Sequence, residues 1–173
     1  MAQGEGASLL IRAYNLSKDK YFLSAAYKAL DFMLLSVDFG GTTKYVSQDI
    51  ILLEFTHMPA VLNGWIFSLM GLYDVAIATN DDKYMTYFER GLVSLKKYLP
   101  DFDCGYWSQY DIKNKIASPF YHHLHIAQLK ALYLLSEEEI FLEYANKWEN
   151  EEKKSLYKNK AICVKAIQKL REK

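Results

Sequence analysis

The stretch from Leu72 to Leu92, LYDVAIATNDDKYMTYFERGL, decides the fold. An apolar run ends near Tyr73, and a polar turn of Asn80, Asp81 and Asp82 follows. Tyr84, Phe88, Leu92 and Leu95 then recur at helical spacing, with Lys83, Glu89, Lys96 and Lys97 off the stripe. Such a helix buries one side and shows the other to water. The turn residues supply a cap and favourable charge for its first turn. The same order occurs twice more, in RAYNLSKDKYFLSAAYKAL from Arg12 and LYLLSEEEIFLEYANKWE from Leu132. Phe22, Ala26, Ala29 and Met33 make the matching stripe after the first turn. Tyr14, Tyr73 and Tyr133 stand 59 and 60 residues apart. That spacing is too long for a tetratricopeptide and predicts stacked helical hairpins with long connections.

The hairpins divide into inner and outer members. Val61 to Tyr73 carries only Asn63 and Ser68 as plainly polar side chains, so it reads as a helix buried all round. Pro119–Leu135 is expected to be its inner counterpart. Ser136 with Glu139 reads as a capping box, and Ser118 before Pro119 as a helix start. Between Phe39 and Phe55 the residues predict a glycine turn between two short strands, and Cys104 to Ile112 predicts another extended piece. The expected fold is therefore all-α, an incomplete α/α toroid with short β-hairpin insertions at one mouth. Residues 1–150 form that domain, and residues 151–173 form a basic terminal helix packing on it.

The totals set limits. The 173 residues are half hydrophobic, enough for a full core in one domain. Formal net charge is zero, which gives no global pull on nucleic acid. Cys104 and Cys163 lack paired-ligand spacing and read as free thiols, with no zinc site. The longest apolar run, around Trp65 to Tyr73, is too short to span a bilayer. No basic-then-apolar leader opens the chain, so the default expectation is cytoplasmic, with the compartment otherwise open.

The chemistry gathers in Gly105 to Leu129, GYWSQYDIKNKIASPFYHHLHIAQL. Tyr121, His125 and Gln128 share one face of the helix that Ser118-Pro119 starts, near its positive end. Tyr110 and Lys113 lie on the preceding loop. His122, His123 and His125 also have a plainer reading as hydrogen-bonded core or rim groups. His122 and His125 lack a third metal ligand at a telling spacing, so no metal is expected.

Met1-Ala2-Gln3-Gly4, Arg12-Ala13-Tyr14, Val61-Leu62-Asn63-Gly64, Gly71-Leu72-Tyr73-Asp74, Phe88-Glu89-Arg90-Gly91, Tyr110-Asp111 and Tyr121-His122-x-x-His125-Ile126 follow one another in a specific order. The ordered set resembles the C-terminal domain of the heparan sulfate glucuronyl C5-epimerases, over residues 1 to about 150. The resemblance implies a toroid acting on glucuronic acid within a polysaccharide, without a cofactor. The C5 proton is removed and one is returned to the opposite face. That chemistry needs an acid/base on each face and a cation near the carboxylate. A tyrosine, with a free pKa of about 10, needs a cationic neighbour to act as base near neutrality.

Carried over residue by residue, the resemblance makes Tyr121 and Tyr110 the catalytic candidates, and the helix start that holds Tyr121, against the loop that holds Tyr110, predicts Tyr121 as base and Tyr110 as returning acid. Lys113 would hold the carboxylate and Glu54 would orient a hydroxyl or a catalytic group. Asn63, His122, His125, Gln128 and Gln3 are the substrate-binding candidates. Glu54, Tyr110, Lys113, Tyr121 and His125 are expected in one cavity. Two departures stand out. Phe55 replaces a family tyrosine and cannot transfer a proton. Lys113 replaces a family arginine and loses its bidentate fork. Two alternatives therefore accompany the epimerase reading: a uronate polysaccharide lyase, and a non-catalytic polysaccharide-binding or scaffold domain. The family domain is preceded by more chain, so a missing N-terminal domain or a homo-oligomer is expected to complete the ring.

Overall fold

The computed structural model describes residues 1–171. It is mostly helical, with seven α-helices and one small sheet among the described residues. In chain order these are α1 (Ala2–Ser17), α2 (Lys20–Leu34), β1 (Thr43–Val46), β2 (Asp49–Leu52), α3 (Leu62–Thr79), α4 (Asp82–Tyr98), α5 (Pro119–Ser136), α6 (Glu139–Glu152) and α7 (Ser155–Arg171). The terminal helix expected over 151–173 is thus seen from Ser155, and its last two residues lie outside the described ones. The contacts divide the chain into two units, Met1–Ala60 with Gly64–Leu95, and Val61–Asn63 with Lys96–Lys173.

The repeat is a local device used three times. Ser17, Thr79 and Ser136 end α1, α3 and α5, and each hydroxyl donates to the carbonyl four residues back, at 2.7–2.8 Å. The next residue, Lys18, Asn80 or Glu137, turns left-handed with φ of 55–59°. An acidic residue then precedes the following helix: Asp19, Asp81 or Glu138. Asp19 accepts from the Tyr21 N–H and Asp81 from the Lys83 N–H, both at 2.9 Å. Each link is two residues long, so the helices it joins run back alongside one another. The expected capping box at Ser136 is absent. Its hydroxyl goes to Leu132 O, and Glu138 occupies the cap position.

In the first unit α1 lies against α2, and two glycines let α1 cross α3 backbone to backbone. A Cβ at Gly71 would stand 2.4 Å from Gly4 O, and one at Gly4 2.8 Å from the Ser68 Cα. Beside the crossing, Asp74 accepts from Ser8 and, at 3.1 Å, from Arg12. The Met-Ala-Gln-Gly, Arg-Ala-Tyr and Gly-Leu-Tyr-Asp motifs therefore build one helix junction. Tyr84, Phe88, Leu92 and Leu95 of α4 are buried, as their stripe predicts. Tyr73 meets Phe88 at 5.1 Å between ring centres. From Val61 to Tyr73 no residue is fully exposed.

β1 and β2 pair antiparallel, with Thr43 opposite Leu52 and Val46 opposite Asp49. Their turn is Ser47-Gln48, not the glycine pair. Gly40 instead closes the short 3-10 turn Val37–Phe39, at φ 85°, ahead of β1. β2 is buried at every residue, and its Ile50 N–H donates to Ser94 Oγ of α4 at 2.9 Å.

In the second unit α5 packs on α6, and α7 touches both. The second extended piece forms isolated bridges, Asp103 with Ser108, Gln109 with Ile116 and Asp111 with Val61.

Candidate functional site

The loop before α5 is shaped by Asp111. Its carboxylate accepts from the Lys113 N–H at 2.9 Å and the Lys115 N–H at 3.2 Å, so the chain reverses over 111–115. Tyr110 N–H then donates to Lys115 O at 2.5 Å, and Tyr110 O accepts from the Leu62 N–H at 3.1 Å. Tyr110 is thereby fixed on a short braced loop, with Lys113 exposed at its turn. Ser118 caps α5, accepting from the Tyr121 N–H at 3.4 Å, and Pro119 fills the first helical position. Tyr121 therefore sits in the first turn, where unpaired N–H groups and the helix dipole favour negative charge.

These two arrangements bring the tyrosines together. Their ring centres are 4.8 Å apart, edge to face, and both are half-buried. Both pack against a small core of Trp107, Ile116, Ala117 and Ala161.

The rest of the expected α5 face points inward. His122 and His125 are fully buried, and Ser108 sits between them. Its Oγ lies 2.8 Å from His122 Nδ1 and 2.9 Å from His125 Nδ1, and its N–H donates to His122 Nδ1 at 3.0 Å. His122 thus accepts at Nδ1 and carries its proton on Nε2, which faces Trp148 O at 3.3 Å. Trp107 stacks on His122 at 3.6 Å. Burial lowers the His122 pKa to about 4 and that of His125 to about 3. Gln128 is buried and donates to Asn63 O at 3.1 Å. Among the described residues, His125 Nε2 and Gln128 Oε1 are buried without a protein hydrogen-bond partner. Exposed His123 lies 3.5 Å from Glu152.

Glu54 and Gln3 belong to the first unit. Gln3 is half-buried on α1. Glu54 presses on Gly64, where a Cβ would come within 2.8 Å of its Oε2. Burial raises its pKa. Phe55 beside it is 43% exposed. Sequence reasoning passed over Ser108 and Trp107, which lock the histidines, and Lys165 and Gln168 of α7, which reach the tyrosine loop. Ser108 lies in the quoted stretch, but only the fold brings it to His122, fourteen residues on.

The chain is thus a set of helical hairpins in which two tyrosines, Tyr110 and Tyr121, touch. Its sequence matches the family described as D-glucuronyl C5-epimerase C-terminus over residues 1–150, and the chain belongs to that family. It is 31% identical over 169 residues to the D-glucuronyl C5-epimerase of Caenorhabditis elegans, covering 86% of this chain and 27% of that protein. It is 32% identical over 145 residues to an uncharacterized protein of Methanocaldococcus jannaschii, covering 80% of this chain and 47% of that one. The chain thus spans less than half the length of these relatives. Among the described residues no helix is long and apolar enough to cross a membrane.

Proposed function

We propose that this chain is a uronic-acid C5-epimerase-like domain that binds a uronic-acid-containing polysaccharide and moves the C5 proton through Tyr121 and Tyr110. The observation that carries the reading is the contact of the two rings at 4.8 Å, within a chain of the epimerase family. Tyr121 is the base, because the first turn of α5 holds it in one place. Tyr110 is the partner acid. Lys113 attracts the carboxylate from the exposed turn, and Glu54 keeps the orienting role that the resemblance implies. The hairpins serve as wall segments of an α/α toroid.

The ring contact also bears on stereochemistry. A sugar between two rings needs about 7 Å, twice the usual carbon contact distance of about 3.5 Å. Action by Tyr110 on the opposite face of C5 therefore requires the rings to part first. Phe55, a phenylalanine where the resemblance has a tyrosine, favours a second reading: a polysaccharide-binding domain without proton transfer.

The deciding measurement is deuterium uptake at C5 of a uronate oligosaccharide, followed by proton NMR. Wild type is expected to exchange, Tyr121→Phe to lose exchange entirely, and Tyr110→Phe to keep a fraction of it. Undiminished exchange in Tyr121→Phe would sink the assignment. Binding with no exchange in wild type would establish the second reading.

A further inference from the structure

Helix α7 lies beyond the residues that match the family, yet it is fastened to the loop that carries Tyr110. Gln168 clamps that loop twice. Its Oε1 accepts from the Ile116 N–H at 3.0 Å, and its Nε2 donates to Asn114 O at 2.9 Å. Lys165 donates to Ile116 O at 2.7 Å, which fixes its ammonium beside the site, 5.5 Å from the Tyr110 ring centre. Ala161 is fully buried, and Val164 packs on the same core as Tyr110 and Tyr121. Lys160 stands over the Tyr106 ring at 3.9 Å.

The charge on α7 is one-sided. It carries Lys158, Lys160, Lys165, Lys169 and Arg171 and no acidic residue, in a chain of zero formal net charge. Lys158, Lys165 and Lys169 share one side of the helix by their spacing, and this positive charge beside Tyr110 complements a linear polymer with a carboxylate on its repeating unit.

We propose that α7 is a recognition element for anionic uronate polysaccharide, with Lys165 holding the carboxylate of the sugar unit presented to the Tyr110–Tyr121 pair. This rests on the proposed function and adds a residue to that site. Lys113 sits at the exposed tip of its turn, whereas Lys165 is held against the ring by a hydrogen bond. The remaining lysines of α7 meet adjoining units and contribute mainly through their field, which salt screens.

The test is calorimetric binding by the full chain of a glucuronate-containing tetrasaccharide, its carboxyl-reduced neutral analogue and a single-stranded oligonucleotide. Lys165→Met keeps the aliphatic stem and removes the charge. It is expected to weaken the acidic tetrasaccharide by about tenfold or more and leave the neutral analogue unchanged, as loss of a charge-assisted bond requires. Lys165→Arg is expected to bind within about threefold of wild type, because the charge stays. Circular dichroism verifies folding, and Lys165→Gln carries the same comparison if the methionine variant unfolds. Wild-type binding with undiminished affinity in Lys165→Met overturns this inference alone. A wild type that binds no uronate sugar overturns the proposed function and this inference with it. Tighter, Lys165-dependent binding of the oligonucleotide assigns these lysines to nucleic acid and overturns it too.

Discussion

Ser108 holds two imidazoles at once, and both are kept neutral by burial. Unfolded histidines take up protons near pH 6.5. The folded pair resists until about pH 4 for His122 and about pH 3 for His125. Between these limits the unfolded chain binds more protons, so stability is intact above pH 6.5 and falls as the pH drops toward 3–4. Each histidine adds up to about 1.4 kcal/mol per pH unit within that window. Urea unfolding at pH 7.5 and pH 5 is expected to show the loss, and a smaller one in His125→Gln. An unchanged pH dependence in that variant would refute the account. The sequence marked these histidines as candidates, because their offsets share a face with Tyr121. It did not reveal which end of that face opens. Half-buried Tyr121 stands at the outer end, while His125 and Gln128 run into the interior.

At the level of the helices, the repeat was readable because its chemistry is local. A hydroxyl residue, a turn residue and an acid recur in sequence as Ser17-Lys18-Asp19, Thr79-Asn80-Asp81 and Ser136-Glu137-Glu138. The capping box was misread because Ser136 satisfies its hydroxyl backwards, within its own helix. The glycines of the motifs were visible, but their purpose as crossing points was not, since Gly4 and Gly71 meet from distant parts of the chain. Lys18 and Glu137 hold left-handed backbone without being glycine. Left-handed backbone costs an ordinary residue about 1–2 kcal/mol, against about 0.5–1 kcal/mol of extra chain entropy for glycine. Glu137→Gly is therefore expected to stabilise by about 0.5–1 kcal/mol in denaturant unfolding, and a loss would contradict the turn geometry. Gly71→Ala should do the reverse, destabilising by about 1–3 kcal/mol, because its methyl group meets the backbone of α1. A neutral outcome would mean that the two helices are not in contact there.

Across the whole molecule, protection is expected to be uneven. α3 is buried along most of its length, whereas α7 fully buries only Ala161 and leaves Leu156, Ile162, Ile167 and Leu170 exposed. Amide hydrogen exchange should run slowest in α3 and fastest in α7. Equal protection of the two would show that α7 is held by more than its visible anchors. The sequence predicts no more here than a basic terminal helix packing on the domain. Its tie to the tyrosine loop depends on Gln168 meeting Asn114 and Ile116, which no spacing rule foretells. The two-residue links carry a consequence for how the chain reaches this state. Bringing together helices joined so closely costs little loop-closure entropy. Hairpins α1–α2, α3–α4 and α5–α6 can each zip up from their own turns, before any distant segment arrives. Contacts of that kind are local in sequence, which favours rapid pairing of the two helices in each hairpin.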